Sequence, residues 1–390
     1  MKVAYLFGEL LMRFYLAGSL FLCLLVSSCK KDASSGNSGS RTPLVNGTGN
    51  QTGAQPPSTT GPIASASNDS ALPASCRIAV DCQQALPDFG VATGFIVKEN
   101  NIRINFKPSV HRARDVVVNE GQDPNLIAKF AYGIAVDADI KGEAVDIYMS
   151  KGCDMGWAKI GTQVTSGNEA KRTVDGVEDT GGYIMIALSK LGVSNLSVGR
   201  HRFVFVLKGN NDWTEAYVEV LAKKNAFIVT DIDGTLTAFE EAAASEIIGI
   251  KPEAHVGAAD MIRSFYHRGY NIFYLTARPA FLMAATREWL NTRGFPPGVV
   301  HTTNLKAGAT GDAAAAFKVK ELADLKANVG VVPAYAFGNK PSDVKAFADS
   351  GVPTANSYFY KIKGDLTGAK INNDYRTLVP IAQAAPSLCP

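Results

Sequence analysis

A chain of 390 residues exceeds one ordinary domain of roughly 100–200 residues, and 46% hydrophobic with 19% charged residues excludes a wholly disordered chain. Lys and Arg number 39 against 36 Asp and Glu, a formal charge of +3 that argues against a dedicated nucleic-acid binder. The 36 glycines follow no G-x-y period, which removes a collagen-like chain.

Residues 14–28, FYLAGSLFLCLLVSS, are almost wholly apolar, follow Arg13 and end in small residues before Cys29. The run is shorter than the roughly 20 apolar residues that cross a bilayer as a helix, so residues 1–28 read as an export signal. Val26-Ser27-Ser28-Cys29 resembles the lipobox of bacterial lipoproteins, which implies lipidation of Cys29. Residues 29–75 are rich in Ser, Gly, Thr, Asn and Pro, and bury too little apolar area to offset the entropy of ordering them. As a coil they span roughly 35–40 Å, a tether that keeps the remainder of the chain near a membrane. With Lys30 rather than Asp after the cysteine, the expectation is an exported bacterial lipoprotein of the outer membrane or cell surface, facing periplasm or exterior. Cys76, Cys82, Cys153 and Cys389 allow three connectivities; with no C-x-x-C among them, disulfides or buried thiols are favoured over zinc.

Residues 76–222 read as a β-sandwich. Short β-prone runs at 145–149 (VDIYM), 183–188 (YIMIAL), 202–207 (RFVFVL) and 216–221 (AYVEVL) are separated by turn signals such as Gly209-Asn210-Asn211-Asp212. AYVEVL alternates with a period of two, whereas RFVFVL is apolar on both faces. His111 and His201 are isolated and read as structural, and Trp157 and Trp213 as packing or edge residues.

Residues 223–390 change texture to strands alternating with helical patterns, which predicts a parallel α/β layer. Strands are expected at 226–230 (AFIVT), 271–275 (NIFYL) and 334–337 (AYAF), with helices at 281–293 and 312–327 and one opened by Pro341. Each strand runs into a polar cluster: Asp231-Ile232-Asp233-Gly234-Thr235, then Thr276-Ala277-Arg278, then Gly338-Asn339-Lys340-Pro341-Ser342-Asp343. The carboxyl edge of an open parallel sheet is where ligands bind, and such convergence is hard to explain as packing. Asp231 and Asp233 could share a divalent cation, with Asn339 or Asp343 completing an oxygen set suited to Mg²⁺. The cation would let a carboxylate nucleophile approach phosphorus, while Thr276 and Lys318 hold the phosphoryl oxygens.

D-x-D-G-T, a Thr after the second strand, a later Lys and G-N-x-x-x-D together resemble the haloacid dehalogenase superfamily. FIVTDIDGTLT, GYNIFYLTARP, FKVKELADL and AYAFGNKPSDVKAFADSGV are similar to the catalytic domain of lipins. They are equally similar to the lipin-like C-terminal domain of the large phosphatidylinositol transfer proteins. A β-sandwich precedes the domain there too, and FAYG…GEAVDIYM resembles it; the resemblance covers about residues 110–365. It implies an Ig-like β-sandwich followed by a haloacid-dehalogenase-type, Rossmann-like α/β domain with a parallel sheet and minimal cap.

The function implied is Mg²⁺-dependent dephosphorylation of phosphatidate or another phosphomonoester. Asp231 would be the nucleophile and Asp233 the general acid and base; Thr276, Ala277, Arg278 and Lys318 would bind phosphate, with Lys320 a competitor for Lys318. Asp231, Asp233, Asn339 and Asp343 would hold the metal. In the transfer-protein relatives the first Asp is replaced and the domain binds phosphatidate without turnover, so the intact Asp231 favours catalysis over a phosphatidate-binding module at a membrane. Residues 236–257 are too few for a large cap; Phe239, Ile247, Ile248 and Ile250 there either pack a flap or touch lipid, and flap packing is the simpler reading.

Overall fold

Alternating β-prone runs pair from residue 112 onward. The computed structural model describes residues 80–390, apart from 83, 135–136, 154–155, 169–170, 223–224, 240–241, 244–250, 365, 367 and 389–390. The expected signal, tether and Cys29, together with Cys76, Cys389, Ile247, Ile248 and Ile250, lie outside the described residues.

The sandwich strands are β1 (Arg112–Ala113), β2 (Val116–Asn119), β3 (Asn125–Lys129), β4 (Ala144–Ser150), β5 (Trp157–Val164), β6 (Tyr183–Ala187), β7 (Gly199–Leu207) and β8 (Trp213–Leu221). They form a sheet ordered β1-β3-β6 and a second ordered β2-β8-β7-β4-β5. All these pairings are antiparallel except that of β8 with β2. RFVFVL lies in β7, the central strand of the larger sheet, and its residues are buried throughout. Phe203, Phe205 and Leu207 of that strand meet Leu126, Ala128 and Ile184 of the facing sheet in one core. Cys82 is bonded to Cys153, which removes the connectivities that pair Cys82 with Cys76 or Cys389.

The α/β layer has six parallel strands: β9 (Phe227–Thr230), β10 (Asn271–Pro279), β11 (Val299–Thr303), β12 (Tyr335–Gly338), β13 (Ser357–Tyr360) and β14 (Lys370–Asn372), in the order β11-β10-β9-β12-β13-β14. Its helices are α1 (Ala258–His267), α2 (Met283–Thr292), α3 (Gly311–Val329), α4 (Pro341–Asp349) and α5 (Val379–Ala384). Period-two alternation divides the core. Ile228, Ile272 and Phe337 face α1, α2 and α5, whereas Phe227, Val229 and Phe273 face α3 and α4. Expected strand 271–275 runs on to Pro279 because a register irregularity between Leu275 and Pro279 lets it continue, so Thr276–Arg278 belong to the strand itself. The helix expected at 281–293 opens with a 3₁₀ turn at Ala280–Leu282 and becomes α-helical at Met283.

Val117 of β2 and Leu221 of β8 pack in the same core cluster as Leu322 and Leu325 of α3, so sandwich and α/β layer share a hydrophobic seam. Buried charge crosses it as well. Arg114 donates to Glu321 Oε2 at 2.6 Å, and His301 Nδ1 lies 2.6 Å from the same oxygen. Burial pushes the Glu321 carboxyl up, but the charges on Arg114 and then His301 outweigh it and bring it down to about 2. A depressed carboxylate stabilises the fold above its unfolded value, and that contribution fades as pH falls from about 4.5 through about 2. The loss expected is about 3 kcal/mol, and Glu321→Gln should flatten this part of the stability–pH curve in urea titrations.

Candidate active site

The strand order reverses between β9 and β12, the switch point where open α/β sheets take ligands beyond their carboxyl ends. Asp231 lies one residue past β9, and its N–H donates to Phe337 O of β12 at 2.9 Å, which pins it between the two strands. Gly234, with φ at 73°, turns the D-I-D-G-T segment back in a conformation that glycine adopts without Cβ strain. The Thr235 hydroxyl then lies 3.1 Å from both Asp231 Oδ2 and Asn339 Oδ1.

Gly338 ends β12, and a Cβ there would stand 2.6 Å from Asp343 Cβ, so glycine allows the first turn of α4 to close under the strand. Asp343 Oδ2 accepts the N–H groups of Asn339 and Lys340 at 3.0 Å each, capping α4 where Pro341 opens it. Lys318, in the middle of α3, donates to Asp231 Oδ1 at 2.6 Å and Asp343 Oδ1 at 2.5 Å with 2% of its surface exposed. FKVK therefore brings Lys318 to the carboxylates. Lys320 is exposed and pairs with Asp324 one turn along.

Burial works against the Lys318 ammonium, yet Asp231 and Asp343 outweigh it and hold its pKa above the usual lysine range. Burial also pushes the Asp231 carboxyl up, to about 6, against the downward pull of Lys318.

Asp233 belongs to a second cluster. Arg278, its side chain fully buried, donates Nε to Asp233 Oδ2 at 2.8 Å and Nη2 to Oδ1 at 2.9 Å. Its Nη1 donates to Thr286 Oγ1 of α2 at 3.0 Å. Thr276 Oγ1 lies 3.3 Å from Asp233 Oδ2, and the Ala243 N–H donates to Oδ1 at 3.1 Å. Arg278, expected on phosphate, is thus committed to an internal bidentate pair with the carboxylate two residues past Asp231. Ala277 offers its backbone, its carbonyl accepting the Ala309 N–H at 2.9 Å.

Of the four residues expected at a metal, Asp231 and Asn339 have side-chain oxygens bridged by Thr235. The Asp343 carboxylate is taken by Lys318 and two N–H groups, and that of Asp233 by Arg278. Among the described residues, no group of three His, Cys, Asp or Glu is arranged to hold a metal ion. Two neighbours of the site were not singled out from sequence. Thr235 had a signal in its place in the motif. His255, which hydrogen-bonds the Gly234 backbone and whose ring centroid lies 4.0 Å from that of Tyr360, had none; burial lowers its pKa.

Residues 228–361 match the family model of the PITM 1-3 LNS2 domain, and residues 109–220 match that of the PITM 1-3 β-sandwich domain. Membrane-associated phosphatidylinositol transfer protein 1 of Homo sapiens is 29% identical over 262 residues, covering 67% of this chain and 19% of its own length. Protein retinal degeneration B of Drosophila melanogaster is 26% identical over the same 67% and 19% shares. The chain spans about a fifth of the length of these curated relatives. Among solved structures, cobalt-bound deoxy-D-mannose-octulosonate 8-phosphate phosphatase from Haemophilus influenzae aligns with 41% of this chain and 90% of its own at 18% identity. Its TM-score of 0.30 carries no functional weight.

The relatives correct the expected location. They are animal proteins, one named as membrane-associated, and not bacterial lipoproteins; the exported, Cys29-lipidated lipoprotein of an outer membrane or cell surface does not stand. A short apolar run ahead of a cysteine is too brief a pattern to specify that chemistry. Over its sandwich and then its α/β layer, this chain is similar to the β-sandwich and LNS2 domains of the PITM 1-3 proteins.

Proposed function

We propose that this chain is a Mg²⁺-dependent phosphomonoester hydrolase acting on phosphatidate or a related phospholipid. In this reading the α/β layer is of the haloacid-dehalogenase type with a minimal cap, and the sandwich before it is Ig-like. The observation that carries the reading is the Asp231–Lys318–Asp343 set at the switch point of the sheet, with Asp233 two residues on. The relatives' name, phosphatidylinositol transfer protein, supports a phospholipid ligand.

The oxygen-rich donor set fits a hard divalent cation. Asp231 and Asn339 through side-chain oxygens and Asp233 through its carbonyl would hold Mg²⁺, while Asp343 orients Lys318. When bound, the cation supplies charge neutralisation at the phosphoryl group. Asp231 attacks phosphorus, and an aspartyl phosphate forms as the bond to the lipid oxygen breaks. For this step Asp233 must leave its bidentate pair with Arg278 and carry a proton, which it gives to the departing alkoxide and regains from the water that cleaves the aspartyl phosphate. Lys318 and Thr276 stabilise charge on the phosphoryl oxygens.

Phosphate release from phosphatidate in mixed micelles tests this reading, with release expected in Mg²⁺ and lost in EDTA. A second reading, a module that binds phosphatidate without turnover, is favoured by one observation: Lys318 and Arg278 already engage both aspartates of the motif. Retained phosphatidate binding without release in Mg²⁺ would establish it instead.

A further inference from the structure

We infer that Arg114, in the sandwich, is a positioning residue for Lys318 of the active site. It grips Glu321 one turn further along α3 and so sets the rotation that carries the Lys318 ammonium to Asp231 and Asp343. The inference rests on the reading of Lys318 as the cation that stabilises the phosphoryl oxygens, and it adds what holds that cation in place.

Glu321 follows Lys318 by three positions, so the two side chains leave α3 about 60° apart, on one face of the helix. Both are buried, with 2% of Lys318 and 5% of Glu321 exposed. Arg114 and Asp115 are adjacent in the connection between β1 and β2, and they reach Glu321 by two routes. Arg114 Nη2 donates directly to Oε2 at 2.6 Å. Asp115 acts through His301 of β11, whose Nε2 lies 2.9 Å from the Asp115 carbonyl oxygen and whose Nδ1 lies 2.6 Å from the same Oε2.

The apolar contacts of Val117 and Leu221 with Leu322 and Leu325 hold α3 close but are non-directional. A charged hydrogen bond fixes distance and angle together. Lys318 cannot set the rotation itself. Its four-carbon stem is flexible, and its two partners stand on separate elements, Asp231 past β9 and Asp343 in α4. Among the described residues, side chains from outside α3 hydrogen-bond to it at Lys318, at Glu321 and at the Asn328 carbonyl. The last, reached by Gln122 at 3.1 Å, lies at the far end of the helix. A rotation of about 10° carries a side chain about 6 Å from the helix axis through roughly 1 Å. Such a displacement at a charge-stabilising group can lower a rate by about 10²-fold.

Steady-state turnover of phosphatidate and acetylation of Lys318 in the folded full chain, located by peptide mass spectrometry, test the positioning together. Arg114→Ala should lower kcat by about 10–100-fold with KM within about twofold of the parent, because Lys318 acts on the transition state. Lys318 should acetylate several-fold faster in the same variant. Arg114→Lys should restore most of both, since a single nitrogen, Nη2, donates to Glu321 and one ammonium can replace it. Gln122→Ala, at the far end of α3, should leave kcat at the parental value. Lys129, 3% exposed in the sandwich, is the reference for general loosening and should stay protected in every variant. Parental kcat and parental Lys318 labelling in Arg114→Ala, an equal loss in Gln122→Ala, or a parallel rise at Lys129 would overturn the inference. Faster Lys318 labelling reversed by Arg114→Lys, with no turnover by the parent, would leave the positioning standing and remove the catalytic reading.

Discussion

Asp231→Asn is expected to lower phosphate release by about 10⁴-fold or more, since loss of a nucleophile that acts with its partners removes nearly the whole chemical step. The substitution keeps the size of the side chain and an oxygen that can accept from Lys318 or Thr235, so the local geometry has every means to persist. An amide lacks the anionic oxygen that attacks phosphorus. Release measured under saturating Mg²⁺ alongside a urea denaturation curve separates the two effects: the rate should collapse while the midpoint moves little. Lys318 retains Asp343 as a partner in the variant, which limits the cost of leaving a buried ammonium half-paired.

Asp115→Ala should cost about 3–5 kcal/mol of stability, the largest effect expected outside the active site. Asp115 connects β1 to β2 with a fully buried side chain that receives Arg287 from α2, the Tyr217 N–H at 2.9 Å and the Val300 N–H at 3.0 Å. Its carbonyl faces His301 Nε2 at 2.9 Å. One carboxylate thus satisfies donors from the sandwich and from the α/β layer. Its removal takes the carboxylate partner from the Arg287 guanidinium, which keeps the Glu215 carbonyl at 2.8 Å and lies over the Tyr217 ring with 5.3 Å to the centroid. Urea unfolding followed by tryptophan fluorescence measures the loss. Asp374→Ala, which breaks the exposed pair with Arg376 and the Arg376 N–H bond that caps the turn at Tyr375–Thr377, should cost less than Asp115→Ala.

The period-two runs, the D-I-D-G-T turn after AFIVT and the Pro341 helix start were legible because each depends on neighbours in the chain. So was the convergence of polar clusters, which follows from parallel β-α order alone. The choice of Lys318 over Lys320 was not, because it depends on how α3 is rotated against the sheet. The bond from Cys82 to Cys153 and the Asp115–Arg287 contact join distant segments, and no local pattern marks such pairs. Arg278 shows a further gap. Its place after Thr276 suggests an anion, but the extended end of β10 places it against Asp233, an anion that the protein itself supplies. The apolar run before Cys29 failed in the opposite way, a local pattern read as an address that the animal relatives do not share.

The central claim is that Asp231 becomes covalently bonded to phosphorus, and borohydride trapping during turnover of phosphatidate tests it most directly. Reduction of an aspartyl phosphate converts the residue to homoserine, which peptide mass spectrometry locates. Homoserine at position 231, requiring both Mg²⁺ and substrate, is the result predicted. Phosphate release with no homoserine, or with homoserine at another aspartate such as Asp233 or Asp343, would contradict the assignment.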